Sequence, residues 1–210
     1  MVRRSIIAAL AALTVPWTAN HGPAVPGALA AEPAAHGAAV AVPEPEGYRM
    51  EDYRAPVPAR LTGGTVVDTA AALRLHDEGV PFIDVLPRPP RPKNLPKDTI
   101  WRPEPRRDIP GSIWLVDTGY GELAPVMERY LLDGVSAAAG GDKAAPVLFY
   151  CKRDCWMSYN AAKRVIAAGY TAVYWYPEGT EGWEEAGRPL EKREPEPRPD
   201  EGAAGSSPSK

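Results

Sequence analysis

The sequence predicts a single α/β domain with a central parallel sheet flanked by helices. Short apolar runs between turn-forming residues alternate with segments of helical spacing, as in folds built from repeated strand and helix units. One run, residues 145–150, is apolar throughout, which is typical of a parallel strand covered on both faces. Both ends of the chain are rich in small, charged and Pro residues and cannot contribute much to a core. We therefore expect the ordered domain over residues 48–190.

The elements of this domain are assigned in chain order from apolar spacing and terminal residues. Asp68 caps the first helix, Pro125 restricts where the second begins, and Gly169 ends the third. The predicted helices are residues 68–75, 122–132 and 158–168. The predicted strands are compact apolar, β-branched or aromatic runs at residues 80–85, 113–115, 145–150 and 171–176.

Residues 87–110 form an insertion of different composition. The segment holds eight prolines and seven Lys or Arg against three acids. Proline removes backbone donors, so we expect neither a helix nor pairing inside a sheet. The segment is either a rigid surface loop or a basic wall beside the active site that attracts an anion or an acidic partner.

The first 30 residues are typical of an export signal. Arg3 and Arg4 precede an uncharged apolar run at residues 6–15, and Ala28-Leu29-Ala30 offers a small-x-small cleavage pattern. The run is much shorter than the roughly 20 residues that span a bilayer, which favours cleavage over anchoring. Ala19 is an alternative cleavage point, and the paired arginines leave both the general and the twin-arginine routes open.

The mature chain left after this cleavage has 180 residues and a net charge of −5. We expect a disordered linker at residues 31–47 and a disordered tail at residues 191–210, because neither segment can bury enough apolar surface to offset its ordering entropy. The scattered charge gives no electrostatic footprint for nucleic acid. No second apolar stretch is long enough to cross a membrane, so no membrane contact is expected after cleavage.

The candidate chemistry lies where the strand at 145–150 meets the helix at 158–168. Cys151 is the first residue after the strand, at a junction where free N–H groups and a helix dipole bind anions and lower the pKa of a thiol. Lys152 and Arg153 add positive charge. Ser158 opens the predicted helix, and Asp84 lies near the end of the strand at 80–85, where parallel sheets place site residues.

Three uses of Cys151 and Cys155 remain open. A structural disulfide is natural in an oxidising compartment, although a five-residue ring gives little entropic stabilisation. A zinc site lacks spaced partner ligands, since two of the three histidines precede residue 37. The third use is thiol chemistry, with Cys151 attacking and Cys155 resolving. Trp156 either packs in the core or screens the sulfurs and stacks on a ligand.

Four motifs follow one another along the chain: Phe82-Ile83-Asp84-Val85, Ile109-Pro110-Gly111-Ser112-Ile113, Leu148-Phe149-Tyr150-Cys151 with the helix that follows, and Gly169-Tyr170 through Gly187-Arg188-Pro189-Leu190. In this order they resemble the motifs of the rhodanese family. The resemblance covers about residues 65–190. It implies a rhodanese-like α/β fold with Cys151 at the nucleophile position.

Three further motifs narrow the resemblance: Cys151-x-x-x-Cys155-Trp156-Met157-Ser158, Trp175 through Thr180, and Gly111-Ser112-Ile113-Trp114-Leu115. Together they are similar to one group of these proteins, the PQQ-dependent catabolism-associated CXXCW motif family. This resemblance implies a periplasmic protein associated with PQQ-dependent alcohol oxidation. It implies a quinoprotein alcohol dehydrogenase or its cytochrome c as partner, and a small sulfur-containing anion or thiol as substrate. We expect no bound cofactor.

The loop departs from ordinary rhodaneses in ways that bear on activity. Cys151 to Met157 spans seven residues without Gly, and Met157 stands where longer-loop phosphatase relatives hold an anion-clamping Arg. A phosphatase reaction would lose its main charge stabiliser there. Leu86 replaces the Arg that follows the Asp-Val pair, and Arg102, Arg106 or Arg107 is a candidate replacement. Two hypotheses follow: thiol, persulfide or disulfide exchange, and a non-catalytic binding or maturation partner.

Overall fold

The computed structural model describes residues 41–96, 98–102 and 104–201. The elements in chain order are β1 Thr65–Val66, α1 Thr69–Asp77, β2 Phe82–Asp84, β3 Arg106–Asp108, β4 Ile113–Trp114, α2 Pro125–Ala138, β5 Val147–Tyr150, α3 Trp156–Ala167, β6 Val173–Tyr176, α4 Gly179–Glu185 and β7 Glu191–Arg193. The predicted signal peptide lies outside the described residues. Within the described ranges, no helix has the length and apolar character needed to cross a bilayer.

The central sheet has five parallel strands in the order β1-β6-β5-β2-β4. β5 is its middle strand, and all four of its side chains are fully buried. Because successive side chains of a strand point to opposite faces, Val147 and Phe149 pack with α2 and α3, whereas Leu148 and Tyr150 pack in a second cluster with α1 and α4. The predicted α/β fold with helices on both faces is confirmed.

The helices begin close to where the sequence placed them. Asp68 Oδ1 accepts a hydrogen bond from Ala71 N at 2.8 Å and so caps α1. α2 starts at Pro125 but continues to Ala138, past the predicted end at residue 132. Gly134 is tolerated inside α2 because Leu115 fills the space that a Cβ would need. α3 begins at Trp156, directly after Cys155, two residues before the predicted start.

A small two-stranded antiparallel sheet corrects two predictions. β3 lies in the Pro-rich insertion and β7 in the predicted tail, and the two pair along their full length. Neither triplet contains proline, so each keeps the backbone donors that a ladder needs. Farther along, Glu196 N donates to Trp114 O at 2.9 Å. The tail is therefore ordered against the domain at these positions, while residues 202–210 lie outside the described ranges.

The second half of the predicted linker also packs on the domain. Glu44 accepts a hydrogen bond from Thr62 N at 2.8 Å, and Lys163 Nζ donates to Gly47 O at 2.9 Å. These two contacts use polar groups, which a composition without aromatic residues does not reveal. Val42 also packs, partly buried, against the core. The expectation of a disordered linker over residues 31–47 thus fails for its described part, residues 41–47.

Gly179 holds the start of α4 against the cysteine loop. Its φ is +55°, and a Cβ there would lie 2.6 Å from the carbonyl oxygen of Cys151. We expect Gly179→Ala to lower the free energy of unfolding by about 2–3 kcal/mol, because the loop must shift and the backbone is strained. Gly187→Ala is the matched control, since Gly187 has φ +74° with open space around it. Urea unfolding of both variants checks this, and equal losses would contradict a role for the contact.

Candidate functional site

Cys151 and Cys155 are joined by a disulfide in the loop between β5 and α3. Their Cα atoms lie 6.4 Å apart, and Cys155 occupies the N-cap position of α3. Cys151 has no exposed surface and Cys155 has 2%. The bond therefore lies beneath the surface at the carboxyl edge of the sheet, where the sequence placed the candidate chemistry.

The Ser158 hydroxyl is the polar group closest to the sulfur of Cys151. Ser158 Oγ lies 3.3 Å from Cys151 Sγ and 3.1 Å from the carbonyl oxygen of Cys155. It also accepts a hydrogen bond from Trp175 Nε1 at 3.0 Å. Because the indole supplies that proton, the hydroxyl keeps its own proton for the sulfur or the carbonyl. Ser158 can therefore donate to a thiolate at Cys151 once the disulfide is reduced.

Two N–H groups of the loop already have acceptors within the chain. Arg153 N donates to Glu181 Oε2 at 2.9 Å, and Trp156 N donates to the carbonyl oxygen of Tyr53, also at 2.9 Å. Asp154, between them, has a left-handed φ of +52°. Burial alone would raise the pKa of Glu181, but the hydrogen bonds it accepts lower the pKa below its ordinary value. The Glu181 carboxylate thus accepts the hydrogen bond of a loop N–H group that could otherwise bind an incoming anion.

Residues 48–56 form a strap that runs over the cysteine loop and the start of α3. Asn160 holds the strap by accepting from Arg49 N and donating to Arg49 O, each at 2.9 Å. Ala55 N donates to the carbonyl oxygen of Asp154 at 3.2 Å. Trp156 Nε1 donates to Pro56 O at 3.1 Å. The strap lies next to the disulfide, and these contacts attach it to the loop.

The remaining site residues named from the sequence take different positions. Arg153 turns its guanidinium to Glu185, with nitrogen to oxygen distances of 2.7 and 2.5 Å. The ring of Trp156 is buried against Tyr159, with Arg49 above it, so it packs in the core of the described structure. Lys152 pairs with Gly179 in an isolated bridge.

A cavity of about 330 Å³ opens beside the loop. Its walls come from the insertion, the cysteine loop and α4, and include Leu86, Arg106, Arg107, Trp114, Lys152 and Glu181. The volume lies at the lower end of the range for small-molecule sites. Two of the three arginines considered as replacement cations, Arg106 and Arg107, therefore line a space next to Lys152.

Asp84 belongs to a buried ion cluster at the carboxyl end of β2. Arg106 Nε lies 2.7 Å from Asp84 Oδ2 and 3.1 Å from Asp108 Oδ1, and both carboxyl groups are fully buried. Burial, together with the Asp84 carboxylate, raises the pKa of Asp108 to about 8, against the opposing charge of Arg106. Burial also raises the pKa of Tyr150 well above its ordinary value, and Tyr150 donates to Ser112 Oγ at 2.7 Å. The Arg106 guanidinium thus contacts two acidic side chains, and the Asp108 carboxyl group keeps its proton at neutral pH.

This cluster predicts a pH dependence of stability. The folded chain keeps a proton on Asp108 up to about pH 8, whereas the ordinary value is 3.8. Between these values the folded state binds more protons, so stability is highest at the acid end and falls as pH rises, by at most about 1.4 kcal/mol per pH unit. We expect Asp108→Asn to remove this slope. Urea unfolding between pH 5 and pH 9 checks it, and parallel curves for the two proteins would contradict it.

The two residues that accept hydrogen bonds from N–H groups of the loop, Glu181 and Tyr53, were not predicted from the sequence. Glu181 lies 28 positions from the N–H it accepts, and Tyr53 lies more than 100 positions from Trp156. No local pattern marks either contact, because each depends on how α4 and the strap pack. The motif that resembles the CXXCW family ends at Thr180, one residue before Glu181.

Comparison with known proteins gives the family. A model described as Rhodanese-like domain matches residues 69–186, which is more than half of the chain. Among curated proteins, none matches significantly. One similar solved structure is the 30 kDa polysulfide-sulfur transferase homodimer from Wolinella succinogenes, 20% identical, with a TM-score of 0.41 over 63% of this chain and 81% of that chain. Another is a protein of unknown function and possible tyrosine phosphatase from Rhodopseudomonas palustris, 24% identical, with a TM-score of 0.40 over 62% and 86%.

The family match spans α1 to the end of α4 and includes the cysteine loop. It agrees with the parallel sheet and with the position of Cys151 directly after the central strand. The chain therefore belongs to the rhodanese-like domain family.

Proposed function

We propose that this rhodanese-like protein carries out thiol–disulfide or persulfide exchange at Cys151 and Cys155. The observation that carries the proposal is the disulfide itself, which joins the nucleophile position to a second cysteine in the same loop. A five-residue ring adds little to stability by constraining the unfolded chain. A bond at this position is better suited to a reversible reaction than to stapling the fold.

The exchange takes place in two steps. In the reduced protein, the Cys151 thiolate attacks one sulfur of an organic disulfide, forms a mixed disulfide and releases one thiolate. The Cys155 thiolate then attacks Cys151 Sγ, closes the internal disulfide and releases the second thiolate. With a sulfane-sulfur donor, the first product is a persulfide on Cys151, and closure of the internal disulfide releases that sulfur as hydrogen sulfide. A dithiol reductant returns both cysteines to thiols and is itself oxidised to a disulfide.

Neighbouring residues support these steps. The Ser158 hydroxyl, 3.3 Å from Cys151 Sγ, donates to the thiolate that forms on reduction. Lys152 lines the adjacent cavity and supplies positive charge beside the loop. The sulfurs are buried, so a partner thiol reaches them only when the strap or the cavity wall moves.

We further propose that the protein works in the periplasm in a PQQ-dependent alcohol oxidation pathway. The support for this is the signal-like pattern at residues 1–30 and the motifs shared with the CXXCW family. Deleting the gene and following growth on alcohols as the carbon source tests the pathway. Fractionation of cells tests the location, and recovery of the protein with the cytoplasmic fraction would count against it.

The reduction potential of the cysteine pair tests the exchange. Equilibration in dithiol redox buffers, read by thiol alkylation and mass spectrometry, gives this value. A working pair is expected between about −120 and −270 mV, as in known exchange proteins, whereas a value below about −300 mV indicates a structural bridge. A structural bridge would also stay oxidised in dithiol buffers that reduce a working pair.

A second candidate function is that of a non-catalytic binding or maturation partner of a quinoprotein dehydrogenase or its cytochrome. The insertion favours it, because its basic residues Arg91 and Lys93 are exposed and Ile100 is 83% exposed. Exposed basic side chains attract an acidic surface of a partner. A pulldown with the dehydrogenase distinguishes the two functions: binding that survives Cys151→Ser/Cys155→Ser supports the partner role, and no association counts against it.

A further inference from the structure

A carboxylate of α4 is hydrogen-bonded to the cysteine loop. Glu181, in the first turn of α4, accepts a hydrogen bond from Arg153 N at 2.9 Å through Oε2. The same oxygen accepts from the Thr180 hydroxyl at 3.1 Å, and Oε1 lies 3.9 Å from the guanidinium of Arg54. These contacts come from three parts of the chain: the loop, α4 and the strap. They hold the carboxylate in one place with its charge intact.

The position of this carboxylate determines what can approach the loop. Glu181 lines the cavity together with Lys152, the residue that follows Cys151. The second loop donor described above, Trp156 N, is occupied by the carbonyl oxygen of Tyr53. An incoming anion therefore finds these two donors taken, one of them by a group of its own charge. A thiol or disulfide that carries no charge near its reacting sulfur meets no such repulsion.

We propose that Glu181 is a specificity-determining residue that excludes inorganic sulfur oxyanions from Cys151 and favours organic thiols, disulfides and persulfides. This inference rests on the proposed exchange and specifies its substrate class. With thiosulfate, the excluded reaction is attack of the Cys151 thiolate on the outer sulfur, which leaves a persulfide on Cys151 and releases sulfite. Glu181 opposes this step because sulfite leaves as a dianion beside an existing carboxylate.

The test compares full-length reduced protein with its Glu181→Gln variant. Glutamine keeps an oxygen that can accept from Arg153 N but removes the charge. Two initial rates are measured at Cys151 by mass spectrometry: persulfide formation from thiosulfate, and mixed-disulfide formation from uncharged 2-hydroxyethyl disulfide. We expect the ratio of the thiosulfate rate to the disulfide rate to rise about tenfold in Glu181→Gln. Added salt should raise the thiosulfate rate of the unmodified protein more than that of the variant.

Glu184→Gln is the matched control. Glu184 lies on the same helix, is exposed and lines the same cavity, but in the described structure the Arg153 N–H of the loop donates to Glu181. Its substitution therefore removes the same charge from the cavity without changing that hydrogen bond. We expect the rate ratio to stay within about twofold in this variant, since exposed charges are screened. If the ratio is unchanged in Glu181→Gln while the disulfide still reacts, the specificity role is wrong and the exchange stands. If neither substrate reacts with any of the proteins, the exchange and the specificity role are both overturned.

Discussion

Cys155→Ser is expected to stop the exchange halfway, with a stable mixed disulfide or persulfide on Cys151. In this variant Cys151 can still attack, but no thiolate lies close enough to displace the bound group. In the unmodified protein the two cysteines are already bonded within one loop. We expect about a hundredfold longer lifetime of the mixed disulfide, because resolution then needs an external thiol instead of one held in place. Intact-protein mass spectrometry of the reduced variant after a pulse of 2-hydroxyethyl disulfide measures this lifetime.

Cys151→Ser is the companion variant and should form no adduct at all at the first step. Cys155 remains in it, at the N-cap of α3 and 2% exposed. This pair of variants separates the attacking from the resolving cysteine. Adduct formation that is equally fast on Cys155 alone would contradict the assignment of Cys151 as nucleophile.

Of the substitutions considered, Arg106→Leu is expected to cause the largest loss of stability. Arg106 is the cation described beside the two fully buried carboxyl groups of Asp84 and Asp108, at 2.7 and 3.1 Å. Removing one member of a buried ion pair costs about 3–5 kcal/mol, because the remaining charge is left without compensation. The loss should shrink as pH falls, since Asp108 then carries a proton and no longer needs a cation. Urea unfolding at pH 5 and pH 8 measures both effects.

Arg107→Leu is the control for this variant. Arg107 is the next residue, is exposed, and donates a single hydrogen bond to the carbonyl oxygen of Leu190 at 2.8 Å. We expect a loss of about 1 kcal/mol that does not depend on pH. Similar losses of stability in the two variants would contradict a stabilising role for the charge of Arg106.

Apolar pattern and terminal residues were enough to predict four of the five strands of the central sheet and three of the four helices in the described structure. The run at residues 145–150 is central because all of its side chains are buried, and alternate residues serve the two faces. β3 and β7 were not predicted because three-residue strands made of charged residues have no apolar pattern. Arg106, the first residue of β3, also contacts Asp84, and the 22 positions between these two residues leave no local pattern for this contact.

The sequence by itself determined the α/β fold and the position of the cysteine pair at the junction of a strand and a helix. Both follow from local patterns: a fully apolar strand, a helix with a clear end, and a cysteine at their junction. Only the tertiary structure decided which groups contact the cysteine loop and the nearby buried acids. Glu181 and Tyr53 accept hydrogen bonds from N–H groups of the loop, the strap is attached to the loop by hydrogen bonds, and Arg106 lies between two buried acidic side chains. These contacts join residues distant in the chain through hydrogen bonds and charge, and such pairings leave no periodic trace in a sequence.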